Sequence, residues 1–542
     1  RLPHTYLRYS KCRVGGRRRG VMVSYNYSED GEHANILTVA ASGIKFSKRW
    51  VLTHGSILSP LKEAKIIKNA KKPILNDEFY DQLPEIYVTC EKVASKTPNV
   101  YESIERLSRE RSLDNDADME HSSYQVRVLT GRVVHVWQCP ILDRCVDDIL
   151  YSWTIGHRDG DVEKQTQLGK ALLSVFVLVD LECDNRGLKT LRPLSELLDM
   201  VRSPPERGSN VQVHSTPFGC EVFLNAVTTG SVCGVVGKRP SLLLTDAATA
   251  LGSEGGAVFT EGKELVGLVV CSVSWWRGEW VGLTLAAPLR SVLAAKLRVS
   301  PATVNRPLPS PTHARILEII DSTTVLVRCG SAWGAGVYLG GGFVLTCAHV
   351  VKNHALHKIS LYCQSVSETA IVRYKTADDT AFDLALLYTN PQYWSHLKPA
   401  VFAQEPAEKG ESVVAAGYPY FNEINLEDLK PTITSGHVNN VSPSMLQTSC
   451  CVQSGFSGGP IYRITKRSVA EVVEVVAVVV SNAKTQAGAC YPYINMAVPT
   501  RAFLRPLHRY LQDRDKTQLA DMENKKEMVQ AQWRLLPYRS KI

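Results

Sequence analysis

Apolar positions along this chain fall in short runs of Val, Ile, Leu and Thr, cut at close intervals by Gly, Asn and Ser. Examples are TTVLVRC (323–329), GVYLGGGFVLTC (336–347), DLALLYT (383–389), SVVAAGYP (412–419) and EVVAVVVS (474–481). Runs this short, rich in β-branched residues and bounded by turn formers, predict the strands of an all-β barrel or sandwich. The pattern breaks twice. RVSPATVNRPLPSPTH (298–313) carries Pro301, Pro307, Pro309 and Pro311 with little apolar content, which predicts an extended linker. Residues 500–536 are rich in Lys, Glu, Gln and Leu and predict helix.

The runs also repeat. VLTCAHVV (344–351) precedes GFSGGPIY (455–462) in the second half, as WVLTHGSIL (50–58) precedes GSEGGAVF (252–259) in the first. TSGHV (434–438) pairs with TTGSV (228–232), and AVPTR (497–501) with AAPLR (286–290), in the same order. Agreement in register at four places implies two copies of one β fold joined by the proline linker. The expected division is 1–297, a linker at 298–311, a second unit at 312–510 and a helical tail at 511–542. The chain of 542 residues is long enough for several cores.

GFSGGP is the sharpest chemical feature. A nucleophilic serine needs a tight turn with backbone N–H groups converging beside it. Gly458 and Gly459 allow close approach of a substrate, and Gly455 allows a backbone in which its N–H and that of Ser457 form an oxyanion hole. Alone, such a turn is most often an ordinary loop. His349 follows a β-like run beside the small Ala348, and Asp383 heads an apolar strand; separately they read as a structural histidine and a turn cap. The order His, Asp, Ser, each in a β frame, is one solution to triad geometry. Ser457 is then the nucleophile, His349 the general base and Asp383 the group that fixes the imidazole tautomer.

TCAHVV, DLALL and GFSGGP resemble the motifs of trypsin-like serine proteases, most closely the HtrA/Deg branch. The resemblance covers about residues 312–510 and implies two six-stranded barrels per domain, hence two tandem double barrels. Phe456 stands where secreted trypsins have the Asp that pairs with a freed N-terminus, so that activation route is not expected. Cys451, six residues before Ser457, stands at the position of the trypsin specificity Asp. A thiol cannot pair with Lys or Arg, so the expected P1 side chain is small or weakly polar, with Cys itself a candidate.

In the first half the same motifs place Ser56 at the base position, with His54 two residues early, about 7 Å along a strand. Glu254 replaces the nucleophile, and SVFVLV (174–179) offers Ser174 for the aspartate. Ser253 lacks a partnered histidine. This copy is expected to be catalytically dead, serving either as a packing partner or as a gate for substrate.

Composition narrows the setting. The chain is 44% hydrophobic, 21% charged and +9 in net charge, with mean hydropathy −0.10. That balance is globular, and no basic run carries interleaved aromatics, so nucleic-acid binding is not expected. Arg17–Arg18–Arg19 reads as a mobile arm. No run is long enough to span a bilayer; Val472–Val480 is interrupted by Glu474 and reads as a buried strand. The start Arg-Leu-Pro has no apolar signal core and no initiator Met, which leaves the true start in doubt. The 14 cysteines include no CxxC pair, so no metal site is expected and free thiols are. No cofactor is expected.

The C-terminal Ser540–Lys541–Ile542 is similar to the Ser-Lys-Leu peroxisomal address, held out on a polar segment. The combination resembles peroxisomal processing proteases related to the plant glyoxysomal Deg-type enzyme. That implies a peroxisomal-matrix enzyme met by an import receptor that reads its C-terminus. It further implies removal of N-terminal presequences from imported enzymes, cleavage of some β-oxidation enzymes and self-cleavage, for which residues 95–122 are the accessible candidate. A homo-oligomer is left open. The competing readings are a general quality-control protease and a noncatalytic chaperone or scaffold.

Overall fold

The computed structural model describes residues 20–28, 36–59, 80, 83–91, 126–150, 153–155, 169–182, 191–237, 240–272, 274–276, 279–299, 310–419, 429–466, 471–484 and 490–533. Arg17–Arg19, the whole 95–122 segment and Ser540–Ile542 lie outside the described residues.

The chain builds four closed six-stranded barrels, two in each half. The first comprises β1 (Gly20–Ser28), β2 (Ile36–Lys45), β3 (Trp50–His54), β4 (Ile86–Glu91), β5 (Val126–Gln138) and, after the short β6 (Trp153–Ile155), β7 (Val175–Asp180). The second comprises β8 (Asn210–Ser215), β9 (Ala226–Val236), β10 (Leu242–Thr245), β11 (Ala257–Thr260), β12 (Leu265–Cys271) and, after β13 (Ser274–Trp276) and β14 (Glu279–Val281), β15 (Thr284–Pro288). In the second half, the third barrel comprises β16 (Thr324–Cys329), β17 (Ala332–Gly340), β18 (Phe343–Thr346), β19 (Ile359–Cys363), β20 (Val366–Lys375) and β21 (Ala385–Tyr388). The fourth comprises β22 (Ser412–Gly417), β23 (Thr432–Val441), β24 (Leu446–Thr448), β25 (Pro460–Lys466), β26 (Glu471–Lys484) and β27 (Cys490–Pro499).

All four barrels share one neighbour order: the first three strands in sequence, then the sixth, fifth and fourth. β6, β13 and β14 stand apart as a three-stranded sheet. The alternation of apolar runs with turn residues thus reads out as closed barrels, which leave no free sheet edge. Interiors are apolar: Val211, Val213, Val232, Leu243, Val258, Val266, Val269 and Ala286 fill the second barrel, and Ala415, Phe456, Ile461, Ala477 and Val479 fill the fourth.

Several elements differ from the sequence expectation. Helices occur in the first half, at Pro140–Ile149, Arg192–Met200 and Leu289–Leu297. The expected linker is also shorter than its prolines suggest. Ser310 accepts from the His313 N–H and caps a helix running Pro311–Thr323, with Pro311 in the first turn where a missing N–H costs nothing. The segment from Thr500 to Trp533 packs on the body, and the tail beyond it lies outside the described residues. Helix Thr500–Asp513 buries Phe503, Leu507 and Tyr510. Beyond it, Leu519, Met522 and Val529 join the core of the second half, and Trp533 Nε1 donates to Ser444 O at 3.2 Å. Among the described residues no helix is long and apolar enough to cross a membrane.

The two halves are locked by charge as well as by packing. Arg207 donates to both carboxylate oxygens of Asp321 at 2.7 Å and to Pro431 O at 2.5 Å, with its side chain only 8% exposed. Removing one partner of such a pair strands a buried charge. Asp321→Ala is therefore expected to lower stability by about 3–5 kcal/mol, read from the denaturant midpoint of the full chain.

Candidate active site

His349 opens a single 3₁₀ turn, His349–Val351, just past the end of β18. Asp383 lies two residues before β21. The pairing of Thr346 with Ala385 across these two strands brings them side by side. The His349 N–H donates to Asp383 Oδ1 at 2.9 Å, and Nδ1 pairs with Asp383 Oδ2. With Nδ1 engaged, the imidazole has Nε2 left for other chemistry. The histidine side chain is 47% exposed, the aspartate 29%, so the pair sits at a surface that substrate can reach.

Ser457 lies in the turn that enters β25, and backbone bonds tie that turn to β17, the neighbour of β18, and to β26. Ala335 N donates to Ser457 O at 2.8 Å and Gly458 N to Val479 O at 2.8 Å. Gly455 and Gly458 adopt φ of +96° and +84°, the left-handed region that glycine enters without penalty. The N–H of Phe456, between the two expected hole donors, is spent on Gln453 O. Those of Gly455 and Ser457 have no partner among the described residues. The Ser457 hydroxyl donates to Val480 O at 3.1 Å, and no hydrogen bond joins it to His349. Phe456, fully buried, packs in the fourth barrel.

Cys451 is placed differently from expectation. It has no exposed surface and belongs to the apolar cluster of the first half. Burial holds its thiol far above the ordinary cysteine range. The floor expected to meet a P1 side chain is thus a seam residue between the halves. Two nearby residues went unread in the sequence. Asn482 Nδ2 donates to Val452 O at 2.8 Å, tying β26 to the segment that leads to Ser457. Asn482 Oδ1 and both amide atoms of Gln453 are buried without a partner. Such polar atoms are costly unless something pairs with them, and both lie on segments flanking the serine turn. Nothing in local sequence marks them, because their role depends on which strands meet.

Among the described residues, Cys347 Sγ, His349 Nδ1 and an Asp383 oxygen lie within 4.8 Å of one another, near enough to share a metal ion. There the histidine and aspartate already pair, and the buried Cys347 thiol donates to Val479 O at 3.2 Å. The cysteines with described side chains are free thiols.

The first half repeats the frame without the chemistry. Ser42 N donates to Glu254 O at 2.9 Å and Gly255 N to Val269 O at 2.8 Å, so Glu254 occupies the place of Ser457. Its carboxylate turns back on its own loop. Oε2 accepts from Gly252 N at 2.9 Å, the counterpart of the Gly455 N–H, and Oε1 accepts from Ser272 N at 3.1 Å. The anion hole of this copy is filled from within, and burial raises the Glu254 pKa. Register also corrects one correspondence. Thr53 of β3 pairs with Val177, as Thr346 pairs with Ala385, so the counterpart of Asp383 is Val175, not Ser174. Ser253 is fully buried.

His54 ends β3 and takes the place of Cys347. Its Nδ1 accepts from Ser56 N at 3.2 Å, leaving Nε2–H to donate to Leu173 O at 3.3 Å. Burial lowers its pKa from 6.5 to about 4. Between those values the unfolded chain binds more protons, so this histidine stabilises the fold fully above pH 6.5. The contribution falls away as pH drops towards 4, by about 3 kcal/mol. Denaturant midpoints measured across that window should decline in the wild type and less steeply in His54→Gln, where His135, whose pKa burial also lowers to about 4, keeps part of the slope.

A model of the trypsin-like peptidase domain matches residues 334–470, the span that holds His349, Asp383 and Ser457. With four barrels in two pairs around it, this is a trypsin-like serine endopeptidase. A human peroxisomal leader peptide-processing protease is 32% identical over 405 residues, covering 70% of this chain and 69% of the relative. The mouse protein of that name is 31% identical over 357 residues, 61% of this chain and 60% of its own length. The chain belongs to the family of peroxisomal leader peptide-processing proteases. A solved serine endoprotease from Yersinia pestis aligns over 38% of this chain and 69% of its own at 20% identity, with a TM-score of 0.30.

Proposed function

We propose that Ser457, His349 and Asp383 form a catalytic triad that cuts leader peptides from peroxisomal matrix proteins. The observation that carries this reading is the His349–Asp383 pair beside a glycine-framed serine whose neighbouring N–H groups are free. On this reading the Ser457 hydroxyl swings from Val480 O to His349 Nε2, gives up its proton there and attacks the scissile carbonyl. The Gly455 and Ser457 N–H groups take the oxyanion, and His349 returns the proton to the leaving amine. Asp383 holds Nδ1 and stabilises the imidazolium. The unpaired amide of Gln453 and the unpaired Asn482 Oδ1 favour a substrate that supplies hydrogen-bonding groups beside the cut.

Residues 312–510 are the catalytic domain on this reading, and residues 1–297 a noncatalytic copy. Ser540–Lys541–Ile542 serves as the address read by an import receptor. Self-cleavage, and cleavage within some β-oxidation enzymes, belong to the same proposal. The test is incubation of the purified protein with presequence-bearing precursors, the cut sites being read by mass spectrometry. Discrete N-terminal products are expected. Degradation to small fragments would favour a quality-control protease, and intact precursors a scaffold.

A further inference from the structure

Beside Ser457 run the segment 451–455 and the Val480–Asn482 stretch of β26, which touches the serine through Val480 O. Asn482 bridges them at Val452. Behind them runs β27, whose Pro492 O accepts from Val452 N at 2.8 Å. Behind β27 stands the first half of the chain. The Tyr493 hydroxyl donates to Gly282 O, and Trp280 meets the Tyr493 ring edge-on at 6.2 Å. Gly282 is fully packed: a Cβ there would lie 2.8 Å from Pro492 Cγ, 3.0 Å from Cys451 Sγ and 3.0 Å from Tyr493 Cε2. Three residues of the second half therefore converge on one glycine of the first, and two of them belong to β27, the strand bonded to Val452. A second tie lies nearby, where Ser435 N donates to Asp246 Oδ2 at 2.9 Å. A cavity of about 620 Å³ opens along the same seam, lined by residues that include Gln212, Asp246, His437 and Tyr493, and no lining residue is Ser457, His349 or Asp383.

We propose that the noncatalytic first half is the back wall of the substrate pocket, with Gly282 the contact that sets the position of Cys451 and Tyr493. This rests on the triad reading above. Close packing makes the wall sensitive to a single added methyl, because a displaced Cys451 or Pro492 carries Val452 with it, and Val452 carries Asn482. Gly282 is a positioning residue. It touches no substrate, and its effect passes through side-chain seating rather than through the nucleophile. The first copy would then be retained because the second copy's pocket is incomplete without it.

The experiment uses the full chain. Gly282→Ala is compared with wild type for KM and kcat on a peptide substrate, for P1 preference in a peptide library, and for Ser457 labelling by diisopropyl fluorophosphate, which has no P1 side chain to seat. KM is expected to rise about tenfold, the P1 profile to shift, and labelling to slow less than twofold. Tyr493→Phe, which removes only the hydroxyl, should raise KM severalfold with kcat retained, and it carries the test if Gly282→Ala fails to fold. Unchanged KM and P1 profile in the folded variants overturn the proposal, as does labelling that falls in step with turnover. A wild-type chain that neither labels nor cleaves overturns the triad reading together with it, so the two failures are separable.

Discussion

Ser457→Ala and His349→Ala are each expected to lose about a million-fold in kcat, with the double variant no worse than either single one. Triad members act as a unit: without the hydroxyl there is no attack, and without the imidazole the hydroxyl keeps its proton. Neither change should unfold the protein, since Ser457 is only partly buried and His349 half exposed. A fluorophosphonate should label wild type and leave Ser457→Ala unlabelled. Labelling that survives in Ser457→Ala would point to another serine and end the assignment. Ser253 is not expected to supply it, because it is fully buried.

Gly458→Ala carries the second large effect. The backbone there is left-handed at φ +84°, and a Cβ would lie 2.2 Å from Ala335 O, 2.3 Å from Thr346 Oγ1 and 2.9 Å from Cys347 N. The turn holds the two barrels of the second half together, so the methyl must part them or distort the serine loop. A loss of about 3 kcal/mol or more is expected, together with most of the activity. Gly255, at φ +88° and with a Cβ 2.0 Å from Ser42 O, is its counterpart. Gly255→Ala should destabilise the chain comparably through the first half without touching the serine. Denaturant titration and turnover measured on both variants separate fold damage from site damage.

Most of the architecture was readable from residue pattern. Short β-branched runs between turn formers could close only as sheets, and motifs repeating in order implied two copies. The serine turn and the histidine are marked by unusual local sequence, glycines in one case and a small neighbour in the other. What escaped notice was set by long-range meeting. Asn482 and Gln453 gain meaning only when β26 lies beside the segment before Ser457. The resemblance to trypsins puts Cys451 at the specificity position, while its packing against Gly282, far away in sequence, shows only in the folded chain. The segment 500–536 reads as polar because its apolar residues, Phe503, Leu507, Tyr510, Leu519 and Met522, are spaced along one helical face and one following turn, an amphipathic pattern that overall polarity hides. Ser174 was matched to Asp383 one residue out of register, since strand register depends on pairing that sequence alone does not display.

The inward-turned carboxylate of Glu254 bears on stoichiometry. On the triad reading each polypeptide carries two serine-protease frames but only one anion hole open to substrate, so a mechanism-based titrant should release a single leaving group per chain. A burst of one equivalent, unchanged in Glu254→Gln, would count the active sites directly. Any assembly of several chains would hold as many working centres as chains, not twice that number.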